Sequence, residues 1–95
     1  MRFRPVSDVT VALRADGTLE LLVRHTGRRV VIDEPSAAMW MALRQHNGDV
    51  DLAAEALAPH WNRAPDQLRR NLADFVEELC RARLMLPVQD LGPPA

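Results

Sequence analysis

The sequence predicts an α+β domain in which a three-stranded antiparallel sheet precedes three helices. Three observations carry this reading. Apolar residues alternate with period two from Asp8 to Asp33 and recur at helical spacing from Glu34 onward. Gly17 and Gly27 sit where the alternating runs must reverse. A chain of 95 residues, 47% hydrophobic and 26% charged, has the size and composition of one globular domain with one core.

Val9, Val11 and Leu13 alternate with Thr10, Ala12 and Arg14, which describes a half-buried strand. Ala15-Asp16-Gly17 turns the chain into a second strand, Leu19, Leu21 and Val23 on one face. His25-Thr26-Gly27-Arg28 turns it again into Arg29-Val30-Val31-Ile32-Asp33, completing a meander. Pro35 suits the first turn of a helix, where its missing N–H is needed by no partner. Ala37 to Leu43 is apolar almost all round, so that helix should be buried on more than one side. Asn47-Gly48 ends it, with Gly48 as a left-handed cap, and Asp49 or Asp51 caps a second helix. The second helix shows a stripe of Leu52, Ala53, Ala56 and Leu57 running to Trp61. Ala64-Pro65-Asp66 opens the longest helix, with Leu68, Leu72, Phe75, Val76, Leu79 and Cys80 on one face. Leu84-Met85-Leu86 forms a short final strand. Residues 1–87 are expected to be the domain and 88–95, with Pro93-Pro94, a flexible tail. The helices have winged helix-turn-helix proportions.

Composition excludes several classes of function. Twelve basic residues, all Arg, against thirteen acidic ones give a net charge of −1. That lacks the footprint of a nucleic-acid-coating protein. Arg69-Arg70, with Arg63 nearby, is the best nucleic-acid signal, but Asp66, Asp74, Glu77 and Glu78 share the helix and cancel a positive stripe. No apolar run reaches bilayer length and the N-terminus lacks a secretory signal, so a cytoplasmic location without a membrane partner is expected. Cys80 is single, and it reads as a small buried hydrophobe. His25, His46 and His60 are scattered, no glycine-rich phosphate loop exists, and no metal-ligand spacing appears. No catalytic residue, cofactor or metal is therefore expected, and the chain reads as no enzyme.

The third strand is the feature that asks for a function. Val30-Val31-Ile32 is β-branched and carries no Pro or Lys to blunt an edge. Either a helix covers it, or it accepts a strand from another peptide.

The order of short phrases resembles the PqqD-like family, the precursor-peptide recognition elements of ribosomally made, modified peptides. The phrases are Pro5-Val6; Thr26-Gly27-Arg28; Val30 to Pro35; Met39-Trp40; Gly48-Asp49-Val50; and Phe75-Val76 with Leu79, then Leu84-Met85. They span residues 5–86. The chain departs from the family pattern at Arg29, where an aromatic is frequent, at Arg83, where a glycine is frequent, and at Asn71, often Asp.

The resemblance implies a domain that binds the leader of a precursor peptide as an added antiparallel strand and presents the core to a modifying enzyme or leader peptidase. Discrete length and Ala38-Met39-Trp40 favour the leader-binding proteins of lasso-peptide clusters. The alternatives are a PqqD-type chaperone for a radical SAM enzyme and a winged-helix DNA-binding regulator. The implied peptide contacts are Arg29, Val30, Val31 and Ile32 on the strand and Leu68, Asn71, Leu72 and Phe75 on the long helix. Arg69 and Arg70 are candidates for electrostatic contact with an acidic leader. A monomer or weak dimer is expected.

Overall fold

The structure, a computed structural model, describes residues 2–88. The alternating segment forms β2 (Val9–Leu13), β3 (Leu19–Val23) and β4 (Arg28–Ile32), once a short β1 (Arg2–Pro5) has begun the chain. Three helices follow, α1 (Glu34–Gln45), α2 (Val50–Trp61) and α3 (Pro65–Arg81), and β5 (Met85–Val88) ends the described segment. The α+β architecture expected from periodicity is present. The expected tail at 89–95 lies outside the described residues, and Val88 belongs to β5.

The meander has the order β2-β3-β4, with Leu21 opposite Val11 on one side and Val30 on the other. Leu19, Leu21 and Val23 are buried beneath the helices. Trp40 and Leu43 of α1, Ala53, Ala54 and Leu57 of α2, and Leu68, Leu72, Val76 and Leu79 of α3 complete one core. No polar side chain is buried among the described residues. Two aspartates start helices: Leu52 N–H donates to Asp49 at 3.0 Å, as anticipated, and Ser36 N–H donates to Asp33 at 2.9 Å, where the sequence reading had only the end of a strand. Ala64 starts α3 without a side-chain cap, and Pro65 supplies the fixed φ instead.

Three departures from the sequence reading have physical causes. β1, not anticipated, pairs antiparallel with β5 as a second, two-stranded sheet, Phe3 opposite Pro87. Val11 and Leu13 lie on the helix-facing side of the sheet yet stay 42% and 69% exposed, because β2 is an edge strand and Val11 opens onto a recess bordered by Pro5, Val6 and Arg44. Leu52, placed on the α2 stripe, is exposed, while Ala54 and Ala58 are buried in its stead.

β1 is held by Gly48. Phe3 N–H donates to the Gly48 carbonyl at 3.0 Å, and a Cβ at Gly48 would stand 1.7 Å from the Phe3 carbonyl oxygen. Gly48 also sits at φ +79°, so both contact and conformation demand glycine. Arg83, where the resembled family often has glycine, adopts φ 62°. Gly48→Ala is therefore expected to destabilise by more than about 2 kcal/mol in urea denaturation, from strain and backbone collision together. Arg83→Gly should stabilise by roughly 0.5–1 kcal/mol in the same measurement, relieving a left-handed residue.

Candidate functional site

The ladder of an antiparallel pair points the N–H and C=O of alternate residues to opposite sides of the strand. Arg24 N–H donates to Asp8 O at 2.9 Å and Arg14 N–H to Thr18 O at 2.8 Å, which sets the phase. Even-numbered residues of β2 and β3 bond to each other, so Leu19, Leu21 and Val23 turn their main chain to β4. Their register partners there are Ile32, Val30 and Arg28. Arg29 and Val31 consequently direct their N–H and C=O groups away from the sheet, along an edge that no strand covers. Of the four strand residues expected to bind peptide, Arg29 and Val31 offer the main chain, whereas Val30 and Ile32 are committed to β3. Val31 is 53% exposed, its side chain on the face of the sheet turned away from the helices.

The side chains divide in the complementary way. Val30 and Ile32 are half-buried and pack against the core from the edge. The Arg29 guanidinium lies on the opposite face, 3.5 Å from Glu20, which also meets Arg14 at 3.7 Å.

The second wall comes from α3. Arg28 reaches across and donates from Nη1 to the Ala82 carbonyl at 3.1 Å, tying the start of β4 to the end of α3. Asn71, Phe75, Glu78 and Ala82 fall at i, i+4, i+7 and i+11, one flank of the helix on the side of that tie. The opposite flank carries Arg69, which bonds Asp51 of α2 at 2.6 Å and Asp66 at 2.7 Å. Asn71 thus borders the groove beside β4, while Phe75 on the same flank is 8% exposed and belongs to the core. Leu68 and Leu72 do not border it: both have 0% exposure, because they point between the two flanks into the core. That burial moves them from the contact surface where sequence reasoning put them to the support behind it. Glu78 and the Arg28 latch were missed; the i+7 spacing from Asn71 would have pointed to Glu78.

A recess of about 460 Å³ is lined by Glu34, Pro35 and Ala38 at the start of α1 and by Trp61 and Arg63 at the α2–α3 junction. Arg69 is occupied by its two carboxylates, while Arg70 is exposed and makes no ion pair with a described residue. Cys80 is half-buried and burial pushes its thiol pKa up, away from nucleophilic thiolate. Among the described residues no three His, Cys, Asp or Glu come together to hold a metal, and no helix is long and apolar enough to cross a membrane.

The profile of coenzyme PQQ synthesis protein D (PqqD) matches residues 10–85. The chain belongs to the PqqD family. Among curated proteins none matches it. Two solved structures share the PqqD-type fold seen here. A lasso peptide synthetase B1 complexed with the leader peptide superposes with a TM-score of 0.79 at 21% identity, over 92% of this chain and 100% of that chain. TbiB1 in complex with the TbiA(beta) leader peptide gives 0.78 at 21% identity, over 92% and 99%.

The aspartates that pin the turns around this PqqD-family groove set its acid response. The Ser36 N–H at Asp33, the His25 contacts at Asp8 and the Thr18 bonds at Asp16 each hold a carboxyl below its ordinary range. A depressed folded pKa gives stability that is present above the unfolded value, near 3.9, and lost as pH falls through the folded one. The melting temperature should therefore be level above pH ~5 and fall below about pH 4. Asp33→Asn, which keeps the cap acceptor without titrating, should remove part of that fall.

Proposed function

We propose that this PqqD-family domain binds the leader region of a ribosomally made precursor peptide by strand addition to β4. The observation that carries the proposal is the open main-chain edge of Arg29 and Val31 facing a groove whose other wall is α3. An added strand obtains affinity from the main chain and specificity from alternate side chains. Here the alternate side chains meet Val30 and Ile32 on one side and Asn71 on the other. The two proteins of the same fold, each solved with a leader peptide, support the reading.

Lasso-peptide-type biosynthesis is the favoured setting. An antiparallel leader has its N-terminal part near Ile32 and its C-terminal part near Arg28. The recess at Pro35 and Trp61 then receives a bulky apolar leader residue upstream of the paired segment. The core peptide leaves past the Arg28–Ala82 tie toward the modifying enzyme or leader peptidase. The domain itself performs no chemistry. It acts by tethering, which turns a bimolecular encounter between core and enzyme into an intramolecular one at millimolar effective concentration, about. Arg70 is free to meet an acidic leader, whereas Arg69 is already neutralised. Cytoplasmic action fits a role beside the ribosome's product. The carboxylates around Arg69 leave α3 without the positive stripe that the DNA-binding alternative requires.

The test is a titration of a fluorescent synthetic leader, taken from a precursor gene adjacent to this one. Val31→Pro removes an outward donor and leaves the β3–β4 ladder intact. It is expected to weaken binding by about 5- to 150-fold, since an unmatched leader carbonyl costs about 1–3 kcal/mol. Normal affinity in folded Val31→Pro would show that the leader uses another surface. A second expectation concerns presentation: the protein alone should leave the precursor's mass unchanged. With the enzyme present, severing leader from core should abolish the stimulation.

A further inference from the structure

The meander has a second open edge, and β2 supplies it. With even-numbered residues bonded to β3, Val11 and Leu13 direct their N–H and C=O groups outward, and Val9 does so with its carbonyl. The Val9 N–H is already bonded to Val6 O at 3.2 Å. Between Asp8 and Arg14 this edge reads Val9-Thr10-Val11-Ala12-Leu13, with no charge and no proline to discourage pairing. It also carries two of the exposed large hydrophobic side chains of the domain, Leu13 at 69% and Val11 at 42%.

We propose that two copies of this chain pair through β2, antiparallel about a two-fold axis at Val11. The strand is self-complementary in that register. Val11 faces Val11 of the second copy, Val9 faces Leu13, Thr10 faces Ala12, and Asp8 faces Arg14. Apolar residues meet apolar residues on the helix-facing side, and on the other side Asp8, already paired with Arg24 and His25, meets Arg14, already paired with Glu20, at both ends. Four main-chain bonds close the ladder: each Val11 N–H donates to the other Val11 carbonyl, and each Leu13 N–H donates to the other Val9 carbonyl. On the helix-facing side Val9 and Val11 of each copy open onto a recess bordered by Arg4, Pro5, Val6 and Arg44.

The product is a six-stranded sheet, β4-β3-β2 continued by β2-β3-β4 of the second copy. Its two β4 edges are five strand spacings apart, ~24 Å, and both stay open. The contact is smaller than the roughly 1,200–2,000 Å² of a stable interface, so the dimer is weak and concentration-dependent.

The test needs no peptide, so its outcome is separate from that of the leader-binding reading. Sedimentation velocity from ~10 μM to ~1 mM brackets the affinity of a contact worth about 4–7 kcal/mol. The wild-type chain should shift from monomer toward dimer across that range. Leu13→Lys, at an exposed position with its fold checked by circular dichroism, should remain monomeric. In a Cys80→Ser background, Thr10→Cys and Ala12→Cys are prepared separately and then mixed under mild oxidant. Positions 10 and 12 face each other at a Cα distance of about 4.5 Å in a non-hydrogen-bonded pair, within disulfide reach. The mixture should cross-link and neither variant alone should do so. A wild-type chain monomeric throughout, a dimer indifferent to Leu13→Lys, or equal cross-linking with and without mixing would each overturn the proposal.

Discussion

A three-stranded meander has one strand whose main chain is satisfied on both sides, and two that are satisfied on one. β3 is that central strand. Leu19, Leu21 and Val23 put their side chains under the helices while their main chain bonds to β4, and Glu20 and Leu22 bond to β2. Every outward-facing group of the sheet follows from this phase. Arg29 and Val31 are open on one side because Leu19, Leu21 and Val23 took Ile32, Val30 and Arg28. Val11 and Leu13 are open on the other side because Glu20 and Leu22 took Ala12 and Thr10. Small sheets can close into barrels or hide their edges beneath helices. This one does neither, and its helices are spent on covering one face.

The two edges are unlike in what stands beside them. At β4 the Arg28–Ala82 tie brings α3 alongside, with Asn71 and Glu78 on the flank nearest that edge and Phe75 buried behind them. At β2 no such helix flank runs alongside: Arg44 of α1 and residues 4–7 border the edge, next to exposed Val11 and Leu13. A groove with a side-chain wall can discriminate among peptides, because main-chain bonds are common to all sequences and only pockets tell them apart. An edge without a wall favours a partner that carries its own matching pattern. The asymmetry of the helices therefore gives the two edges different surroundings.

Much of this was legible in the sequence, and the misses share a cause. Period-two alternation located β2, β3 and β4, and the cap at Asp49 and the left-handed Gly48 were readable because each acts within a few residues of itself, whereas the Asp33 cap was hidden at the end of the strand pattern. β1 was not readable. Arg2-Phe3-Arg4-Pro5 has no distinctive pattern, and its partner Met85–Val88 lies at the other end of the described chain. Helical periodicity placed Leu68, Leu72 and Phe75 on one face correctly. It did not say that the groove runs along the flank of that face, which depends on where Arg28 meets Ala82. Leu52 failed for a similar reason: two alanines, Ala54 and Ala58, let α2 approach α3 closely, and the core turned toward them.

The outer face of the sheet gives the last constraint on the site. Glu20 sits between Arg14 on one side and Arg29 on the other, all three at least partly exposed. Such pairs contribute little to stability, about 0–1 kcal/mol each. Their effect is one of position. By drawing the Arg29 side chain across the outer face toward β3, Glu20 keeps a long, flexible cation from folding over the edge. The N–H and C=O of Arg29 are thereby left accessible beside those of Val31. The frequent aromatic of the resembled family at this position would occupy the outer face by packing, whereas Arg29 is held there by charge. The same location is reached by two chemistries, and the open edge, not the side chain above it, is what both preserve.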